Sequence, residues 1–226
     1  MPTSPLVTLH LWRVPLRHVP AALARVATDR AALATTDGLA FARLLGTGDG
    51  ATFDVRDADV RTWALLAVWR DPPALAAFER CSPVARGWAR LAQERFRADL
   101  AVLASRGSWG GHDPFRVPSQ AGQAHHGASR ARRFWAAVPP VATELAGARG
   151  LCLRLGIGEA PVGVQGTFSV WASTAALTDF AYHAPAHRDA VRRTHAEGWY
   201  AEELFARFAL LQTTGTVWGS DPVAGR

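Results

Sequence analysis

The chain has 226 residues, 49% of them hydrophobic and two of them cysteine, enough to bury a core without staples and too few thiols for a disulfide framework. Its net charge of +6 comes from 25 basic residues, all arginine, set against 19 acidic ones. The arginines form only small groups, Arg130, Arg132 and Arg133 and later Arg188, Arg192 and Arg193, and the absence of a dense basic stripe beside aromatics argues against a nucleic-acid partner. No apolar run reaches the ~18 residues of a membrane span, and the stretch MPTSPLVTLHLWRVPLRHV lacks a signal peptide's unbroken apolar core, so the expected location is cytoplasmic. Cys81 and Cys152 have apolar neighbours and read as inert buried thiols, with ligation of an iron centre as the alternative.

In chain order, residues 7–14 (VTLHLWRV) alternate with the period of a strand, and His18 to Thr35 carries Val19, Leu23, Val26 and Ala27 at helical spacing. A strand at Leu39 to Leu45, the glycine turn GTGDG and a strand at Thr62 to Trp69 follow. A helical stretch runs from Pro72 to about Glu94, broken near Ser82 and Pro83, before a strand at Asp99 to Ala104. Strand, helix, strand, strand, helix, strand is the ferredoxin-like order.

The second half repeats the first. Residues 66–114 align with 168–222, so that Trp69 meets Trp171, Phe78 meets Phe180, Pro83 meets Pro185, and the Trp109 turn meets the Trp218 turn. GLAFARLLGTG at 38–48 likewise matches GLCLRLGIGEA at 150–160. Two such units each have a sheet face left to cover, and joining the sheets covers both. The expected fold is α+β, two tandem ferredoxin-like repeats forming a dimeric α+β barrel within one chain. Repeat one takes residues 1–110 and repeat two 131–226. The segment 111–130, rich in Gly, Pro, Ser and Gln, is read as a linker that includes a weak strand at Gln123 to Ala128 with His125 and His126. A helix is expected from Arg132 to Leu145.

A second helix of repeat two is expected to begin at Pro185 and to end before Gly198. It places His187 in its first turn, on the side shared with Ala190 and Val191, while Arg188, Asp189, Arg192 and Arg193 face water. On the residues alone His187 is either a core histidine or a metal ligand. His183 and His187 have the spacing of a zinc-binding helix, but Pro185 between them and the lack of a following Glu speak against a zinc hydrolase. In the repeat register His187 falls opposite Ala85, so the imidazole occurs in one copy only. A residue needed for packing recurs in both copies, whereas one needed for chemistry need appear once.

The segments GIGEAPVGVQGTFSVW (156–171) and AHRDAVRRTHAEGWYAEELFARFALLQTTGTVWG (186–219), with LAFARLLGTGDGATFDV, TWALLAVW and SRGSWGGHDPF in the first half, resemble the spheroidene monooxygenase family, the acyclic carotenoid ketolases of phototrophic bacteria and their relatives. The resemblance spans nearly the whole chain. It implies a haem b enzyme that uses dioxygen and supplied electrons to oxygenate the end of an acyclic carotenoid. The family's histidine falls on His187, which the resemblance makes the proximal iron ligand. Arg154, Arg192, Arg193 and Arg207 are then candidates to pair with the haem propionates. Strand alternation sets Gln165 and Thr167 opposite Phe168, and Arg154 opposite Leu153 and Leu155, so Gln165, Arg154 or His125 is the expected polar group on the open side of the iron.

The sequence departs from the family at QAHHGAS, where members carry an apolar, threonine-containing strand. The expected partners are an apolar small-molecule substrate and an electron donor such as a ferredoxin; peripheral contact with the inner face of a membrane and the oligomeric state stay open. Two alternatives stand beside this reading. One is a haem enzyme of the same fold acting on a non-carotenoid small molecule by peroxidase, dehydratase or nitrogen-group chemistry; the other is a haem-binding protein without turnover.

Overall fold

The alternating apolar residues of the N-terminal stretch form strand β1 (Leu6–Arg13), and the proline-started run after it forms helix α1 (Val19–Ala34). The computed structural model describes residues 5–49, 57–115, 143–159, 165–185 and 204–224. Beyond α1 come β2 (Leu39–Gly48), β3 (Ala58–Trp69), α2 (Pro72–Cys81), α3 (Pro83–Leu91) and β4 (Glu94–Gly107). A helical turn at 143–146 precedes β5 (Leu151–Gly158), β6 (Gln165–Trp171), α4 (Thr174–His183) and β7 (Leu204–Gly215). Among the described residues no helix is long and apolar enough to cross a membrane.

The break expected near Ser82 and Pro83 is present and separates α2 from α3, because Ser82 precedes a proline and is held extended at φ −65° and ψ 132°. There it closes α2, and its hydroxyl accepts the Val84 N–H at 3.1 Å to open α3. The helix then stops at Leu91, and β4 starts at Glu94, not Asp99. Phe96, Ala98 and Leu100 are buried at intervals of two, a period that suits a strand and no helix.

The seven strands make one antiparallel sheet in the order β6-β5-β2-β3-β1-β4-β7. One face packs on α1, α2 and α3 through Trp12, Leu65, Trp69, Phe78 and Trp88. Trp12 stacks on Trp88 with centroids 5.1 Å apart. The other face is concave and buries Val7, Leu9, Leu45, Leu66, Leu100 and Leu155. Its curl is fixed by Phe115, whose ring meets Phe41 of β2 at 6.5 Å and Phe208 of β7 at 5.0 Å, although β3, β1 and β4 lie between those strands in the sheet.

The aligned halves share local geometry down to single bonds. Gly38 and Gly150 have φ of 74° and 77°, and a Cβ on either would run into the methyl of Ala74 or Ala176, the residues aligned in the two copies. The Arg70 N–H donates to the Gly38 carbonyl at 2.9 Å, and the Ala172 N–H to that of Gly150 at 2.7 Å. Asp71 caps α2 through the Ala74 N–H, as Ser173 caps α4 through the Ala176 N–H. Trp69 meets Phe78 at 5.0 Å and Trp171 meets Phe180 at 5.3 Å.

The turns after β4 and β7 also match, through Asp113 and Asp221, which each take a hydroxyl bond from Ser105 or Thr213 at 2.9 Å. The tryptophans themselves do not correspond. The bridges Trp109–His112 and Val217–Ser220 are equivalent, so buried Trp109 matches buried Val217. Trp218 takes the place of Gly110, at φ 54° against 67°, a left-handed position that costs a side chain roughly 1–2 kcal/mol.

Replacing Gly38 by Ala adds a methyl that has no room and a left-handed strain, and should lower unfolding free energy by about 2–4 kcal/mol. Gly111 has a φ of 77° with nothing within 4 Å of an added Cβ, so Gly111→Ala should cost only about 1 kcal/mol. Chemical denaturation followed by circular dichroism distinguishes the two, and equal losses would remove the packing role given to Gly38.

Candidate functional site

Thr8, His10 and Trp12 occupy the β1 positions that look toward the helices. Thr8 accepts the Trp69 indole N–H at 2.8 Å. His10 is 5% exposed, lies flat on Trp12 at 5.6 Å and edge-on to Phe78 at 6.2 Å, and its Nε2 is buried without a hydrogen-bond partner. Burial, and secondarily the Arg97 guanidinium, push its pKa from 6.5 down to about 3, so the ring is neutral at physiological pH. The sequence reading passed over His10. The signal was present: a polar residue at the helix-facing phase of an alternating strand, between a threonine and a tryptophan.

His10, Trp12, Phe78, Ala85 and Ala89 line a cleft of about 300 Å³ between α2, α3 and the sheet. A second cleft of about 400 Å³ continues from it past Glu79 and Arg97 to Leu75, Leu211 and Gln212. Arg97 ties their shared floor, pairing with Glu79 on α2 and with Asp99 next to it on β4. The Arg97 Nε to Asp99 Oδ1 contact of 2.7 Å is ionic but lacks hydrogen-bond alignment, and Asp99 takes its directed bonds from Arg97 Nη2 at 3.1 Å and from the Gln212 amide.

The concave face also carries a polar network that occurs in one copy only. Arg43 lies over the Phe41 ring at 4.4 Å and pairs with Glu159 at 3.0 Å, and Glu159 accepts the Trp109 indole N–H at 2.9 Å. The register of 38–48 with 150–160 sets Arg43 opposite Leu155, which is 1% exposed. The network fastens the strand end of repeat two to the turn that closes repeat one. With Phe41, Trp109, Phe115 and Phe208 filling this face, the clefts described above lie on the helix-covered side, not inside the curl.

The sequence candidates are distributed as follows. His187, Arg192, Arg193 and His125 lie outside the described residues. Gln165 opens β6 in register with Gly158. Arg154 is half-buried on β5 between Leu153 and Leu155, which point into the concave core, so it belongs to the helix-side face. Arg207 is exposed on β7, at the other end of the described sheet. Cys81, the last residue of α2, is exposed and not buried as expected; Cys152 is half-buried. Among the described residues no three His, Cys, Asp or Glu side chains gather as a metal site.

No protein-family model matches the sequence. Among solved structures, aldoxime dehydratase in complex with butyraldoxime has a TM-score of 0.58 and 15% identity over 91% of this chain and 79% of its own. Another aldoxime dehydratase structure also gives 0.58, with 81% of it covered. At that identity the likeness defines the class of fold, a curled antiparallel α+β sheet under helices. The chain is 31% identical to the spheroidene monooxygenase of Rhodobacter capsulatus over 98% of its length and 97% of the relative's. It is 34% identical to that of Rubrivivax gelatinosus over 80% and 72% of the two chains, and 31% identical to that of Cereibacter sphaeroides, of which it covers 59%. The chain belongs to the spheroidene monooxygenase family, and is thereby a monooxygenase-type oxidoreductase.

The His10 environment carries a pH dependence. The unfolded chain binds a proton at His10 near pH 6.5, the folded one only near 3. The stability is intact above pH 6.5 and is lost as pH falls through that value toward 3. His10→Phe keeps the ring contacts without the proton site. Between pH 7 and 5 its unfolding free energy should fall by about 2 kcal/mol less than that of the unaltered protein; parallel falls in urea titrations would show that His10 is not held neutral.

Proposed function

We propose that the protein is a haem b monooxygenase that inserts oxygen into an apolar substrate, a spheroidene-like acyclic carotenoid, with His187 as the iron ligand. The observation that carries this reading is the 31% identity to spheroidene monooxygenase over 98% of the chain. In architecture we take the described sheet as most of a barrel built from two ferredoxin-like repeats, with the strand expected at 123–128 running between β6 and β7.

The fit of a haem to this chain rests on the described copy of the repeat. There Ala85, the residue aligned with His187, is packed toward the sheet and lines the cleft beside Trp12, Phe78 and Ala89. Apolar and aromatic walls with arginines at the rim suit a porphyrin and its carboxylates. At that position repeat one has the Ala85 methyl group on α3, and repeat two has an imidazole at the aligned position.

Bound haem would supply dioxygen activation with electrons from a separate donor, such as a ferredoxin. The chain's part is to hold and orient. His187 would hold the iron, and Arg192, Arg193 and Arg207 would pair with the propionates. Arg154 and Gln165, on adjoining strands β5 and β6, would be the candidates to donate a hydrogen bond on the open side of the iron, with His125 as a third. Tryptophan and phenylalanine side chains at the aligned positions of repeat two would serve to exclude water there.

Protein purified from haem-replete cells is expected to show a Soret band. His187→Ala should abolish it, whereas His10→Phe, in the other copy, should keep it. A His187→Ala protein with unchanged band and iron content would remove the ligand assignment. Turnover of a lycopene-like substrate with reductant and oxygen separates the oxygenase from a haem carrier, which would bind the cofactor without product.

A further inference from the structure

The cleft of about 300 Å³ in repeat one is built as a binding site in its own right, and its floor follows from strand register. His10 of β1 lies opposite Arg97 of β4, and Trp12 opposite Arg95. Directly opposite residues of an antiparallel pair share a face, so all four side chains stand on the helix-covered side. Phe78 of α2 and the small residues Ala85 and Ala89 of α3 form the walls above them.

Two polar groups of this cleft are without a partner among the described residues. His10 is 5% exposed and its Nε2 is buried without a hydrogen bond, a deficit that a folded chain seldom carries. Arg95 lines the cleft, is exposed and has no ion pair, whereas Arg97 is held by Glu79 and Asp99. The His10 ring is neutral and Arg97 and Glu79 cancel, which leaves the Arg95 guanidinium as the uncompensated charge on the cleft wall.

Each observation narrows the ligand. Trp12 and Phe78 offer an aromatic ring the stacked and edge-on contacts they already make with His10. An unpaired guanidinium selects a carboxylate, which it can grip with two N–H groups. A hydroxyl suits Nε2 in either tautomer of the imidazole, because it can donate or accept. His10 and Arg95 are diagonal neighbours on the β1–β4 pair, about 7–8 Å apart, a separation bridged by one ring with groups at opposite ends. The volume is at the small end of ligand clefts, which suits such a ring and leaves no room for a porphyrin.

We propose that this cleft binds a hydroxyl-bearing aryl carboxylate, with the ring against Trp12 and Phe78, the hydroxyl on His10 and the carboxylate on Arg95. The site belongs to repeat one and does not rest on the haem reading.

Isothermal titration calorimetry of the full-length protein with 4-hydroxybenzoate is the test. Saturable binding at one site per chain is expected, about tenfold weaker for phenol, which lacks the carboxylate, and about fivefold weaker for benzoate, which lacks the hydroxyl. Arg95→Gln should bring 4-hydroxybenzoate down to the affinity of phenol, and His10→Phe should remove its advantage over benzoate, both with unchanged circular dichroism. The absence of saturable binding at millimolar 4-hydroxybenzoate, or undiminished binding by Arg95→Gln, overturns the proposal. Binding that shifts the Soret band and is lost in His187→Ala but kept in Arg95→Gln also overturns it, because the ligand then sits at the iron. Saturable binding that is lost in Arg95→Gln, by a protein without a Soret band, keeps this site and removes the haem.

Discussion

The ladder between β4 and β7 is the joint on which the molecule turns. It runs from Phe96 opposite Gly215 to Gly107 opposite Leu204, bending at two register shifts, and it makes one sheet of two sequence halves. The shorter ladder of Gly46, Thr47 and Gly48 with β5 makes the corresponding joint on the far side. Both joints pair strands that occupy the same place in their copies, β4 with β7 and β2 with β5. Arg43, Glu159 and Trp109 then clasp the halves across the concave face, and the Phe115 ring wedges between β2 and β7.

Much of this was legible because the determinants are local. A glycine before β2 and again before β5, a tryptophan two residues ahead of a capping Asp or Ser, and Ser-Pro or Ala-Pro after the next helix are features whose geometry is set within a few residues. What the sequence blurred is what depends on distant partners. Trp109 and Trp218 looked equivalent because they are the same residue in similar turns, but backbone bridges decide correspondence, and these match Trp109 with Val217. The sequence carries the helix to about Glu94 and starts the strand only at Asp99, because the charged residues Glu94, Arg95 and Arg97 hide the strand's alternation. In the fold, Glu94 is spoken for by Arg13 and by the Trp218 and Gly219 N–H groups, and Arg97 by Glu79 and Asp99.

For the site, single-copy occurrence was the most useful sequence signal. It singles out His187 against Ala85, and the structure adds what spacing could not show, that position 85 belongs to a cleft wall. The same criterion applied to three dimensions exposes Arg43 and Glu159, whose aligned partners Leu155 and Thr47 are buried and uncharged. His10 shows the limit of composition: nothing in its immediate neighbours reveals that Arg97, far along the chain, would sit near enough to help keep its ring neutral.

Trp218 has a last implication, for the history of the duplication. Its indole bonds to Asp59, where, although burial alone would raise the carboxyl's pKa, the Thr62 hydroxyl, the Arg61 N–H, Arg13 and this indole together bring it below the usual range. Its backbone N–H meanwhile holds Glu94. Both acceptors belong to the other repeat, and the matching spot there is a glycine without a side chain to return the grip. An ancestor made of two identical subunits could not have had this one-sided latch. Once it formed, the two halves ceased to be interchangeable.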